Sequence, residues 1–171
     1  MALPLLVASA EAHGPTRQKV TETVEINAPS EKVWARISNF QDMSWHPAVA
    51  KTEGQGGNDI DKATRQLILQ GDGSATIDEM LYKYDAVKMS YSYRITKVNV
   101  KVLPVNDYSA HLTVKPADGG RSLVEWRGAF YRGYMNNDPP PELNDEASKA
   151  AVKAVYRMGL DALKKELEAT N

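Results

Sequence analysis

The chain has 171 residues, 42% of them hydrophobic and 25% charged, which is enough for one well-filled core. A formal net charge of −1 with no basic block argues against a nucleic-acid partner, and no apolar run approaches the roughly eighteen residues of a membrane span. Cysteine is absent, which excludes disulfides, thiolate metal sites and cysteine nucleophiles.

In chain order, Leu3 to Ala8 is apolar, and Ala10-Glu11-Ala12 has the small-x-small pattern of a signal-peptidase site. Residues 1–12 therefore read as the remnant of an export signal without its basic start, ahead of a single domain over 13–171. A new N-terminus at His13 would offer an amine and an imidazole to copper. Only His46 and His111 remain as further histidines, and nothing places them nearby, so no metal is expected.

Val20, Glu22, Val24 and Ile26 alternate with polar residues, the pattern of a strand. Pro29 opens a short helix with Val33, Trp34 and Ile37 on one face, and Asn39 is placed to cap a second short helix through Met43. Residues 53–62, rich in glycine, read as a loop. A meander of strands follows, with inner faces Arg65/Leu67/Leu69, Ile77/Glu79/Leu81, Met89/Tyr91/Tyr93/Ile95, Tyr108/Ala110/Leu112/Val114 and Val124/Trp126/Gly128/Phe130. Gly71-Asp72-Gly73 is expected to make a tight turn, and His111, on a polar face, to be solvent-exposed.

From Asn144 to Leu167 the pattern predicts one long helix, capped by Asn144, with Val152, Val155, Tyr156, Gly159, Leu163 and Leu167 on an apolar face. A second flank of Ala147, Ala151, Ala154, Met158 and Ala162 is small enough to leave space beside the sheet. The expected fold is α+β: a curled antiparallel sheet of about seven strands, two short helices after the first strand, and the long helix on the concave face.

Ala28-Pro29-Ser30-Glu31-Lys32-Val33-Trp34, Trp45-His46-Pro47, Gly71-Asp72-Gly73 with Glu79, Tyr91-Ser92-Tyr93, Trp126-Arg127-Gly128 and the final helix carry a resemblance. In this order the chain resembles the START-like (SRPBCC, helix-grip, polyketide cyclase-like) superfamily. Within it the chain is most similar to the MxaD-type exported accessories of methanol oxidation. The resemblance implies a periplasmic protein with a cavity between sheet and helix, and methanol dehydrogenase and its cytochrome c as partners.

For that cavity the candidate lining is Arg65, Glu79, Tyr91, Tyr93, Trp126 and Phe130, with Trp45 and His46 near its mouth. Arg65 and Glu79 lie on adjacent strands and inner faces, so burying either alone would cost several kcal/mol, and either a pair or a watery cavity is implied. Glu22 is a third inward carboxylate. Neither Gly-x-Ser-x-Gly, a phosphate loop nor a His-Glu-x-x-His pair occurs, so no catalytic residues and no cofactor are assigned. The leading reading is a non-enzymatic exported accessory acting by protein contact. The alternatives are a binding module for a small hydrophobic or aromatic ligand, and a cyclase-like enzyme.

Overall fold

The alternating sequence of Gln18–Ile26 forms β1, the first of seven antiparallel strands in a computed structural model that describes residues 14–169. The short helix α1 (Ser30–Ile37) follows, then β2 (Val49–Gln55), β3 (Thr64–Leu69), β4 (Thr76–Asp85), β5 (Ser90–Val98), β6 (Val105–Ala117), β7 (Arg121–Arg132) and the long helix α2 (Asp145–Ala169). The strand order is β1-β7-β6-β5-β4-β3-β2, so the first strand closes against the last and every other pairing is between chain neighbours. The expected export signal lies outside the described residues.

Helix α2 starts where the sequence marks it. The Asn144 side chain accepts from the Ala147 N–H at 2.8 Å, and Asp145 and Glu146 place negative charge in the first turn. Val152, Tyr156, Gly159, Leu160, Leu163 and Leu167 turn into one core with the inner faces of the strands and with Val33, Trp34 and Ile37 of α1. Polar contacts fasten the helix to β1. Arg157 pairs with Glu22 at 3.1 Å and donates to the Thr23 carbonyl at 2.9 Å, and Lys164 donates to the Glu25 carbonyl at 2.6 Å. Glu22 is thus engaged by the helix.

Four expectations are corrected. The second short helix is absent. Asn39 accepts from Gln41 N–H and Asp42 from Ser44 N–H, each two residues on, so local side-chain bonds hold turns where a helix would need its own backbone bonds. Residues 53–55 belong to β2, which pairs in register with β3 despite its glycine, so the loop is shorter than expected. The segment around Gly71-Asp72-Gly73 is a wider loop, closed by Leu69 N–H to the Ala75 carbonyl at 3.0 Å. The alanine flank of α2 rotates partly outward: Ala154 and Met158 are exposed, and the helix seats its larger side chains instead.

Candidate functional site in a cleft above a tyrosine cluster

Period-two alternation puts Tyr93 (β5), Tyr108 (β6) and Trp126 (β7) side by side on the concave face, and α2 brings Tyr156 down onto them. Two glycines permit this approach. A Cβ on Gly128 would collide with the Tyr156 hydroxyl, and one on Gly159 would stand 2.5 Å from His46 Cδ2 and 3.0 Å from Trp126 Cζ3. As a result the Trp126 and Tyr156 rings stack with centroids 4.4 Å apart and 13° between planes.

The polar tips form a chain. Trp126 Nε1–H donates to the Tyr93 hydroxyl at 3.1 Å, the Tyr93 and Tyr108 hydroxyls lie 3.5 Å apart, and Tyr108 is joined to Tyr156 by a short hydrogen bond. Burial pushes all three phenols above their usual value, so each keeps its proton. One indole and three phenols supply four donors for three links, leaving one phenolic proton over. Tyr93 already accepts from Trp126. If Tyr156 donates to Tyr108 and Tyr108 to Tyr93, the spare proton sits on Tyr93, which lines an apolar cleft.

That cleft measures about 80 Å³. Its walls include Leu67, Ile77, Leu103, Tyr93, Tyr108 and Trp126, and the half-buried Ala48, Ile95, Val102 and Val155 mark its mouth. His46 lines it too, but both ring nitrogens are engaged: Nδ1 accepts from the Ala48 N–H at 3.2 Å and Nε2–H donates to the Val155 carbonyl at 2.9 Å. This network assigns the neutral Nε2–H tautomer, and burial lowers the imidazole's pKa accordingly.

Arg65 and Glu79 are direct cross-strand partners, with Nε to Oε2 at 2.6 Å and side chains 1% and 5% exposed. Arg65 also donates to the Phe40 carbonyl at 2.8 Å and lies over the Phe40 ring at 4.1 Å. Glu79 reaches the cleft wall, and Arg65 lies behind it. The remaining candidates divide. Tyr93, Trp126 and His46 line the cleft, whereas Tyr91 packs between Trp34 and Phe40, Phe130 stacks on Tyr108, and Trp45 packs against Trp126. Tyr108 and Tyr156, which complete the cluster, read in the sequence only as apolar-face residues. The signal that could have found them is Gly128 within an aromatic strand, because an interior strand glycine marks a close approach. His111 is half-buried on the outer face, within 2.7 Å of both Ser92 Oγ and Thr113 Oγ1, so the expectation of free exposure fails.

The engaged, neutral His46 has a measurable consequence. The folded state takes up a proton on this ring less readily than the unfolded chain, whose imidazole has the ordinary value of 6.5. His46 therefore contributes stability that is present above about pH 6.5 and is lost as pH falls toward its lower folded value. His111, also lowered by burial, acts in the same direction. Denaturant midpoints of His111→Gln should still fall between pH 7.5 and 5, and adding His46→Gln should flatten that remaining slope.

Comparison with known proteins gives a consistent picture. The family model described as "Polyketide cyclase / dehydrase and lipid transport" matches residues 17–168. Among solved structures, the protein XoxI from Bacillus cereus is 29% identical, with 87% of this chain and 94% of that one covered at a TM-score of 0.72. The Zhui aromatase/cyclase from Streptomyces superposes at 0.68 with 17% identity, covering 90% of this chain and 94% of that one. Norcoclaurine synthase from Thalictrum flavum superposes at 0.66 with 13% identity, covering 96% and 98%. These last two share the fold. No curated protein sequence matches the chain significantly.

Proposed function

Since the chain belongs to the polyketide cyclase/dehydrase and lipid transport family, we propose that it binds a small apolar molecule carrying a hydrogen-bond acceptor in the cleft between sheet and α2. The observation that carries this reading is the Tyr93 hydroxyl, which accepts from Trp126 Nε1–H, lies 3.5 Å from the Tyr108 hydroxyl and lines an apolar wall, so that its own proton can meet a ligand when Tyr108 donates to it. A buried donor left unmatched costs about 1–3 kcal/mol, and a carbonyl-type oxygen on the ligand would satisfy it. At about 80 Å³ the cleft suits a short chain or the polar end of a single-ring molecule, with the rest of the ligand in the mouth.

Acetophenone and ethylbenzene, alike in shape but not in polarity, test this by ligand-detected NMR titration against the full chain. The ketone should bind about tenfold more tightly, the equivalent of one hydrogen bond. Tyr93→Phe, checked for folding by circular dichroism, should erase the preference. If neither compound binds at millimolar concentration, or the preference survives Tyr93→Phe, the reading is wrong.

A second reading is favoured by the small size of the cleft. An exported, periplasmic accessory that works by contact, with methanol dehydrogenase and its cytochrome c as partners, needs no larger cavity, and the MxaD-like motifs support it. Pull-down and electron-transfer assays with the purified dehydrogenase test it; no binding and no rate change at micromolar concentration would count against it. A cyclase-like step has less support, because His46 has both nitrogens bonded and Glu79 is held by Arg65.

A further inference from the structure

Among the described residues, the helices cover one face of the sheet. On the other, the alternation that fills the core turns Lys19, Lys115 and Arg127 outward, and a register shift between Leu81 and Lys83 sends Lys83 out as well. Two grooves cross this face and meet at Lys83, His111 and Arg127. One, of about 550 Å³, runs toward Lys19; the other, of about 920 Å³, runs past Lys115 to the β4–β5 turn.

Three features set this groove apart from an ordinary solvated surface. First, it gathers four cations, Lys19, Lys83, Lys115 and Arg127, none of which meets a carboxylate among the described residues, a state shared elsewhere by Lys62, Arg94, Lys97, Lys101 and Lys165. Glu125 is the carboxylate in their midst, with Glu31 and Asp85 at the far end, where Asp85 is held by Lys88. Like charges gathered on one face repel, and an anionic partner removes that cost.

Second, the floor is built. His111 is clamped between Ser92 and Thr113, both hydroxyls at 2.7 Å and both residues buried, so the polar floor is fixed before anything binds. Third, two exposed apolar side chains stand beside the charged groups at the far end of the larger groove: Val87 at the turn is 93% exposed and Ile60 is 49% exposed.

We propose that this groove docks an acidic segment of a partner protein, its carboxylates against Lys19, Lys83, Lys115 and Arg127 and an apolar side chain against Val87 and Ile60. The complementary charge commits the site to a protein segment. A net charge of −1 with carboxylates along the groove suits nucleic acid poorly, and one protruding valine is too little apolar surface for a membrane. The proposal is independent of the cleft, which opens on the opposite face.

A fluorescein-labelled glutamate-rich peptide ending in leucine serves as the probe, read by fluorescence anisotropy against the full chain. Binding should be detectable at low salt and weaken as salt is added. Lys83→Glu combined with Arg127→Glu should reduce affinity at least about tenfold while leaving acetophenone binding unchanged. The control pair Lys101→Glu with Lys165→Glu, both exposed and away from the groove, should keep the wild-type affinity. The proposal is overturned if the wild-type protein does not bind the peptide, or if both reversals weaken it equally. Tighter binding of duplex DNA or phosphatidylserine vesicles through Lys83 and Arg127 would also overturn it, in favour of those partners.

Discussion

Glu79→Ala should destabilise the protein by about 3–5 kcal/mol, the range for breaking a buried ion pair from one side. The pair is buried: the two side chains are 1% and 5% exposed, and Arg65 is walled in by the Phe40 and Tyr93 rings at 4.1 and 5.1 Å. Removing the carboxylate leaves a guanidinium with the Phe40 carbonyl as its hydrogen-bond partner and no counter-charge. Burial pushes the Glu79 carboxyl up while Arg65 beside it pulls it back, so much of the pair's Coulombic gain is spent on desolvation. Removing both charges should therefore be far milder, and Arg65→Met with Glu79→Leu should recover most of the loss. Denaturant unfolding of Arg65→Met, Glu79→Leu and the double variant measures the coupling directly. A loss under about 1 kcal/mol for Glu79→Ala would mean water reaches the pair, contrary to this packing.

Trp126→Ala should cost a similar amount, about 3–5 kcal/mol. The indole is 2% exposed and stacked on Tyr156, with Trp45 centred 5.5 Å away and His46 edge-on at 6.1 Å. Its loss also removes the N–H that Tyr93 accepts. Because Trp126 forms part of the cleft wall, the hole left behind should be continuous with the cleft. Added indole should then refill it and raise the melting temperature of Trp126→Ala, with no comparable effect on the wild-type protein. Failure of indole to do so would show that the hole collapses, or that Trp126 does not separate core from cleft.

The sheet was legible because its strands alternate cleanly, and Arg65 opposite Glu79 follows from the same period. The segment from Asn39 to Met43 was misread because Asn and Asp side chains mimic helix caps while bonding only to their own turns. The cluster was harder to see. Tyr108 and Tyr156 sit at apolar positions on elements far apart in sequence, and only the absence of a Cβ at Gly128 lets them meet. Which side of α2 faces the sheet was legible from spacing: Val152, Tyr156, Gly159, Leu163 and Leu167 are buried, whereas the alanine flank, also compatible with burial, is turned partly outward. Tertiary contact with Trp126 and His46 at Gly159 selects between them.

The fastening of α2 to β1 has a consequence for how the molecule avoids its own kind. β1 ends the sheet, so a row of its backbone groups faces away from β7 and could template an intermolecular cross-β ladder. The Thr23 and Glu25 carbonyls in that row are taken by Arg157 and Lys164, and the Asn27 N–H is taken by Glu168. Side chains of the helix thus occupy the positions that another molecule's strand would use. The charges of α2 act as a guard rail along an edge that would otherwise be adhesive, protecting solubility as well as holding the helix in place.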